Sequence, residues 1–209
     1  MVNIGYLITS TQSYYKITLP LLFSTIPQEQ RGKFMVVVSN APEDKIETSE
    51  GFEFHFIKDW HLAWSGVIEL LKFPPKYKYY FGMPCTCKLG PDFFNSVEGF
   101  DDQDWDCIRA SNGIDSLGTY SFQYFLSQKD WIEAMGCSKT EEVKNETRLM
   151  YNAKKYTCYS STWNVEKGYD DIYKTGTTRQ IVHYPGVDLY KFKANWGQTS
   201  EGEKWIMHP

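Results

Sequence analysis

Three apolar runs in the first hundred residues, 2–8, 33–38 (KFMVVV) and 77–81 (YKYYF), each stop at a polar or broken segment. Runs this short suit strands buried on both faces. Between them lie stretches with helical spacing. Residues 15–23 place Tyr15, Leu19, Leu22 and Phe23 on one side, and Pro27 with Arg31-Gly32 closes them. Residues 61–72 offer Leu62, Val67, Leu70 and Leu71 to a core, and Phe73-Pro74-Pro75 stops them. Alternating strands and helices predict an α/β fold with a mainly parallel sheet. In such a sheet the loops after parallel strands gather at one edge, where ligands bind. Thr9-Ser10-Thr11, Ser39-Asn40 and Met83-Pro84-Cys85 would therefore share a polar crevice.

Residues 77–94, YKYYFGMPCTCKLGPDFF, are the most informative stretch. Aromatic residues favour a strand at its start. Gly82-Met83-Pro84 is expected to break it, because Gly frees φ and Pro removes a donor. Gly90-Pro91-Asp92 then reads as a turn feeding a short helix. Further strands are expected at 52–57 (FEFHFI), 107–110, 120–126 (YSFQYFL) and 156–160. The alternation of 52–57 predicts one exposed side, with His55 on the surface. Short helices are expected at 92–97 and 128–134. A longer one at 140–151 has Thr140 as cap and Glu141 and Glu142 at the positive end of its dipole.

At 209 residues the chain is long enough for one domain with a sizeable core. Its net charge of −4 and lack of a basic run argue against nucleic acid, though not against a single nucleotide. The aromatic content of 17% is high, and the rings serve either packing or stacking on bases and sugars. The five cysteines (Cys85, Cys87, Cys107, Cys137, Cys158) form no disulfide pattern. With no secretory leader and no membrane-length apolar run, a reduced, cytoplasmic protein without a transmembrane segment is expected.

Several motifs fall short of a site. Cys85-x-Cys87 lacks the further ligands of a structural zinc and reads as buried or half-buried thiols. Thr175-Gly176-Thr177-Thr178-Arg179 lacks phosphate-loop spacing and reads as a solvated loop. The run Asp101-Asp102-Gln103-Asp104-Trp105-Asp106 has spacings that can hold Mg2+ or Mn2+, but it precedes a strand and so reads as an acidic surface turn. Asp59 can cap the helix that follows, or Asp59 and Trp64 can lie in the cleft.

Over residues 1–190 the order of these pieces resembles the GT-A class of nucleotide-sugar glycosyltransferases, and within it the small chlorella-virus type that glycosylates the major capsid protein. The resemblance is carried by the strand and polar loop ending Thr9-Ser10-Thr11, the strand ending Val38-Ser39-Asn40, and the Asp59–Trp64 helix entry. It continues through KYKYYF, Leu89-Gly90-Pro91-Asp92-Phe93-Phe94 and His183-Tyr184-Pro185-Gly186. It implies a Rossmann-related GT-A-like single domain, 1–209, with a mainly parallel mixed sheet flanked by helices. Residues 1–100 would form its nucleotide half and 101–209 its acceptor or sugar half. It implies transfer of a hexose from a UDP-sugar to a glycan or glycoprotein, in the host cytoplasm if the protein is viral.

Carried onto this sequence, the resemblance puts Thr9, Ser10 and Thr11 at the nucleotide and Ser39 and Asn40 near the base. Asp59 and Trp64 would lie beside base, ribose or sugar, and Met83, Pro84 and Cys85 along the diphosphate. His183 matches the late histidine that completes a Mn2+ or Mg2+ shell. The expected Asp-x-Asp is absent, because its positions read Met83-Pro84-Cys85-Thr86. Glu141 or Glu142 is the candidate base, with Asp115 next. The alternative is a non-catalytic nucleotide-sugar or carbohydrate-binding module that has lost the metal site.

Overall fold

The computed structural model describes residues 2–59, 61, 64–111, 117–134, 152–162, 164–167, 178–194, 197–198 and 205–206. In chain order the elements begin β1 (Ile4–Thr11), α1 (Tyr15–Phe23), a 3-10 turn (Gln28–Lys33), β2 (Phe34–Ser39), β3 (Lys45–Ser49) and β4 (Phe52–Phe56). There follow α2 (Ser65–Leu70), β5 (Tyr79–Pro84), β6 (Cys87–Leu89), α3 (Phe93–Glu98), β7 (Cys107–Arg109) and β8 (Gly118–Ser121). The chain continues with α4 (Phe122–Ser127), α5 (Lys129–Ala134), β9 (Tyr156–Cys158), β10 (Asn164–Lys167), β11 (Thr178–Tyr184) and β12 (Leu189–Ala194).

The fold is α/β, built on a large mixed sheet in the order β3-β4-β2-β1-β5-β8-β7-β9. Its centre, β4-β2-β1-β5, is parallel, and β8 is antiparallel to both β5 and β7. A second sheet, β10-β11-β12-β6, grows from the end of β5. Alternate residues of the central strands feed two cores. Tyr6, Ile8, Phe34, Val36, Phe54 and Phe81 pack under α1, α3 and the second sheet. Leu7, Met35, Val37, Tyr80 and Tyr120 pack under α2, α4 and α5. Among the described residues no helix is long and apolar enough to cross a membrane.

Several local expectations are corrected. Thr9-Ser10-Thr11 is strand rather than loop, because it is paired residue for residue with Val37, Val38 and Ser39. Gly82-Met83-Pro84 does not break β5. Its pairing with β8 ends at Gly82, so the N–H that Pro84 lacks is not needed on that side. Residues 52–57 have no exposed side: His55 is 1% exposed under α2. Asp59 is exposed and lies well before the helix, whose cap position is Trp64. The run YSFQYFL divides at Ser121, whose Oγ accepts the Tyr124 N–H (3.1 Å) and starts α4. Strands β3, β6 and β10–β12 were not expected. β3 (KIETS) is exposed along its whole length and so carries no apolar signature.

Candidate functional site

The parallel register brings the expected crevice residues to one edge. Thr11 lies opposite Ser39, Thr9 opposite Pro84, and Val38 opposite Phe56. Strands β2 and β5 flank β1 on opposite sides and connect outward in opposite directions, the switch point at which open α/β sheets bind ligands. The backbone there is tied down. Cys85 N–H donates to Thr9 O (3.0 Å), Gln12 N–H to Ser39 O (2.8 Å), and the Ser39 hydroxyl to Ser10 O (3.1 Å). Asn40, just beyond, is exposed with φ of +57°, a turn conformation that asparagine tolerates.

Against this fixed backbone, side-chain atoms are left without partners. Ser10 Oγ, Thr11 Oγ1 and Gln12 Oε1 are buried and make no aligned hydrogen bond. His61 Nδ1 and Trp64 Nε1 share this state. These two belong to the same edge because α2 lies directly on β1: a Cβ at Gly66 would come within 2.3 Å of Thr9 Oγ1. Trp64 is 6% exposed, its ring set edge-on to Trp131. On the same side of the sheet, Gly82 leaves open space, for a Cβ there would meet nothing within 4 Å. Gly82 pairs with Leu7 and therefore faces the α2 side. Unpartnered buried polar atoms are costly, roughly 1–3 kcal/mol each. Ser10 turns to the α1 face, beside Cys85 and Thr18, while Thr11 follows Thr9 on the α2 face. On that face the unpartnered atoms of Thr11, Gln12, His61 and Trp64 mark a place where a polar ligand would supply the missing bonds.

The end of β5 has a different character. Met83 is buried and Pro84 half-buried. Burial pushes the Cys85 thiol up, against the opposing effect of the Ser10 and Thr18 hydroxyls. Nearby, burial raises Tyr14 to about 12, with Cys85 adding to the shift. Mg2+ and Mn2+ take oxygen ligands, above all carboxylates. A thioether, a proline, a protonated thiol and one hydroxyl do not fit them. Among the described residues no group of three or more His, Cys, Asp or Glu is placed to hold a metal. Cys85, Cys87 and Cys107 are buried and Cys158 is half-buried, and none of the four is in a disulfide.

No protein-family model matches the chain, and no curated protein matches it.

The other expected site residues fall into two groups. Glu141, Glu142, Asp115, Cys137 and residues 175–177 lie outside the described residues. His183 is described, on β11, aligned through Tyr190 with Lys88 of β6. That is three residues along the chain beyond Cys85. Its ring stacks on Tyr190 (centroids 4.2 Å apart, 9° between planes). Its Nε2 is 3.5 Å from Asp188 Oδ1, a charge contact too long and unaligned to count as a hydrogen bond. Of the acidic run, Asp102 and Asp104 take Lys78 Nζ at 2.7 and 2.6 Å, and Asp102 also accepts the Tyr79 hydroxyl at 2.6 Å. These bonds hold Asp102 down at about 2, and burial together with Asp102 raises Tyr79 to about 12.

Sequence reasoning passed over three residues at this edge. Gln12 continues the polar run 9–13, and His61 sits inside the Asp59–Trp64 entry, so both had a local signal. Arg109 had none. It ends β7, which runs parallel to β5, and so reaches the same edge. Its guanidinium lies over the Tyr156 ring (4.7 Å), and its Nε is buried without a partner.

Proposed function

We propose that the chain is a GT-A-like glycosyltransferase that binds a UDP-sugar at the carboxyl edge of β1, β2 and β5 and transfers its hexose to a glycan or glycoprotein acceptor. The observation that carries this reading is the pair Thr11 Oγ1 and Gln12 Oε1, buried and unpartnered at the switch point of a mainly parallel sheet. Hydroxyls and a carboxamide suit the many donors and acceptors of a nucleoside and a sugar. His61 and Trp64 extend that lining, and the space over Gly82 lies on the Trp64 side. Arg109, aligned with Leu7 through Gly118 and Gly82, is a cation on the β5 side of this edge and suits a developing phosphate charge. Chemistry of this class needs the leaving diphosphate stabilised and the acceptor hydroxyl deprotonated. Glu141, Glu142 and Asp115 are proposed for the second task on the resemblance alone. No step is routed through a metal, since residues 83–86 do not fit one.

That misfit favours a second reading, a nucleotide-sugar or carbohydrate-binding module without turnover. Titrating UDP with and without Mn2+, followed by Trp fluorescence, and then assaying a UDP-sugar panel with acceptors separates the two. Binding with turnover supports the transferase. Binding without turnover supports the module. No UDP binding under either condition removes both.

A further inference from the structure

At the opposite end of α2 from Trp64, a histidine is buried between two carboxylates. His55 Nδ1–H donates to Glu69 Oε1 (3.0 Å) and Nε2–H to Glu53 Oε1 (2.9 Å). Ionised carboxylates only accept, so both ring nitrogens must carry protons and the ring is an imidazolium. Lysines balance the outer oxygens: Lys72 Nζ is 2.8 Å from Glu69 Oε2, an ion pair without hydrogen-bond alignment, and Lys76 pairs with Glu53. The Phe73 ring covers the imidazole edge-on at 5.0 Å. From the neighbouring strands, the residues opposite His55 are Val37 and Ile46, neither of which titrates. The groups that face His55 are thus Glu53 from β4, Glu69 and Lys72 from α2, and Lys76 from the segment before β5.

Helix α2 has six residues, too few to hold itself together, so tertiary contacts set its position. Gly66, at its start, sits on Thr9. Glu69 is three residues on, about 5 Å along the axis. What happens to Glu69 is therefore transmitted to the crevice wall by less than one rigid turn.

We propose that His55 is a positioning residue: clamped between Glu53 and Glu69, it docks α2 onto β4 and so holds Trp64 and Gly66 in place along the β1 crevice. Its effect on ligand affinity rests on the reading of that crevice as a UDP-sugar site; the clamp itself does not. When the ring loses a proton, one nitrogen becomes an acceptor facing a carboxylate. One of the two bonds is lost, and the Glu69 end of α2 is released.

The test uses the full chain without ligand. The His55 imidazole is titrated by NMR, and amide exchange across residues 65–70 is followed from about pH 6 to about pH 9. The expected result is an imidazole midpoint above about 6.5 and, through that midpoint, a loss of α2 protection of about tenfold relative to β1. The step should vanish in His55→Gln. A midpoint at or below the ordinary value, unchanged α2 protection, or the same step in His55→Gln overturns the clamp. Should the variant not fold, the wild-type titration and exchange profile decide alone. UDP affinity is then measured over the same range in both proteins, the variant correcting for titration of UDP itself. A parallel fall in the wild type alone supports the positioning role, and affinity that ignores the α2 step overturns it. An α2 step with no UDP binding at any pH supports the clamp and removes the UDP-sugar reading.

Discussion

At the Glu69 end of α2 a buried histidine, two glutamates and two lysines meet one another's charges. At the Trp64 end, less than two turns away, five buried polar atoms at the end of β1 and the entry to α2 have no aligned partner. The same short helix borders both. Burying polar groups is tolerable when their bonds are made inside the protein, and costly when they are not. The first cluster therefore explains itself as a fastening. The second does not, and an unmade set of bonds at the carboxyl edge of a parallel sheet calls for a ligand. The contrast separates polar residues whose bonds are made inside the protein from those whose bonds are not.

The contrast can be broken at either end. The largest effect is expected from His55→Ala, which leaves Glu53 and Glu69 facing each other. Removing one partner of a buried charge cluster costs about 3 kcal/mol or more. Urea unfolding reads this, and a loss under about 1 kcal/mol would mean the cluster is not coupled. Next comes Gly66→Ala. Its new Cβ would lie 2.3 Å from Thr9 Oγ1, so α2 or the Thr9 and Leu7 side chains beneath it must shift. A cost of about 1–3 kcal/mol is expected, with weaker UDP binding because the crevice wall moves.

The pH dependence of stability is the next step down. At His55 burial works to lower the pKa, but hydrogen bonds to Glu69 and Glu53 outweigh it and the pKa is raised. Its contribution is whole below about 6.5 and is lost as the pH rises through the higher folded value. At Glu53 and Glu69 burial works upward, and the bonds from Lys76, His55 and Lys72 prevail and hold both low. Their contribution is present above about 4.3 and is lost as the pH falls through the lower folded values. Stability measured by urea midpoint should therefore plateau between those limits and fall on both sides. In His55→Gln the alkaline fall should disappear.

The smallest stability effect belongs to the unpartnered end. Thr11→Val removes a hydroxyl that has no aligned hydrogen bond in the protein. Unfolding free energy should change by no more than about 0.5 kcal/mol or rise. UDP affinity should nevertheless fall about tenfold.

Much of this architecture was legible in the chain. Residues 34–38 and 79–81 of the two runs are buried on both faces, and α1 keeps its expected bounds because Leu19 and Leu22 keep helical spacing. The edge that gathers Thr9–Thr11, Ser39 and Met83–Cys85 followed from the order of strands and helices. What stayed hidden depends on partners distant in sequence. His55 alternates like a surface residue, and only Glu69, supplied by α2, makes its burial affordable. Residues 87–89 gain strand structure only by pairing with residues 189–191. Arg109 reaches the edge only because β8 reverses direction between β5 and β7. The His183 environment likewise comes from Asp188 and Tyr190 across a hairpin rather than from its own neighbours.

The central claim is that the unpartnered atoms of β1 are the contact set of a UDP-sugar. Calorimetric titration of UDP into the full chain, with Mn2+ and with a chelator, repeated on Thr11→Val, tests it most directly. One saturable site that survives chelation and weakens about tenfold in Thr11→Val is expected. An absence of binding in both conditions, or binding of equal strength in the wild type and Thr11→Val, would contradict it.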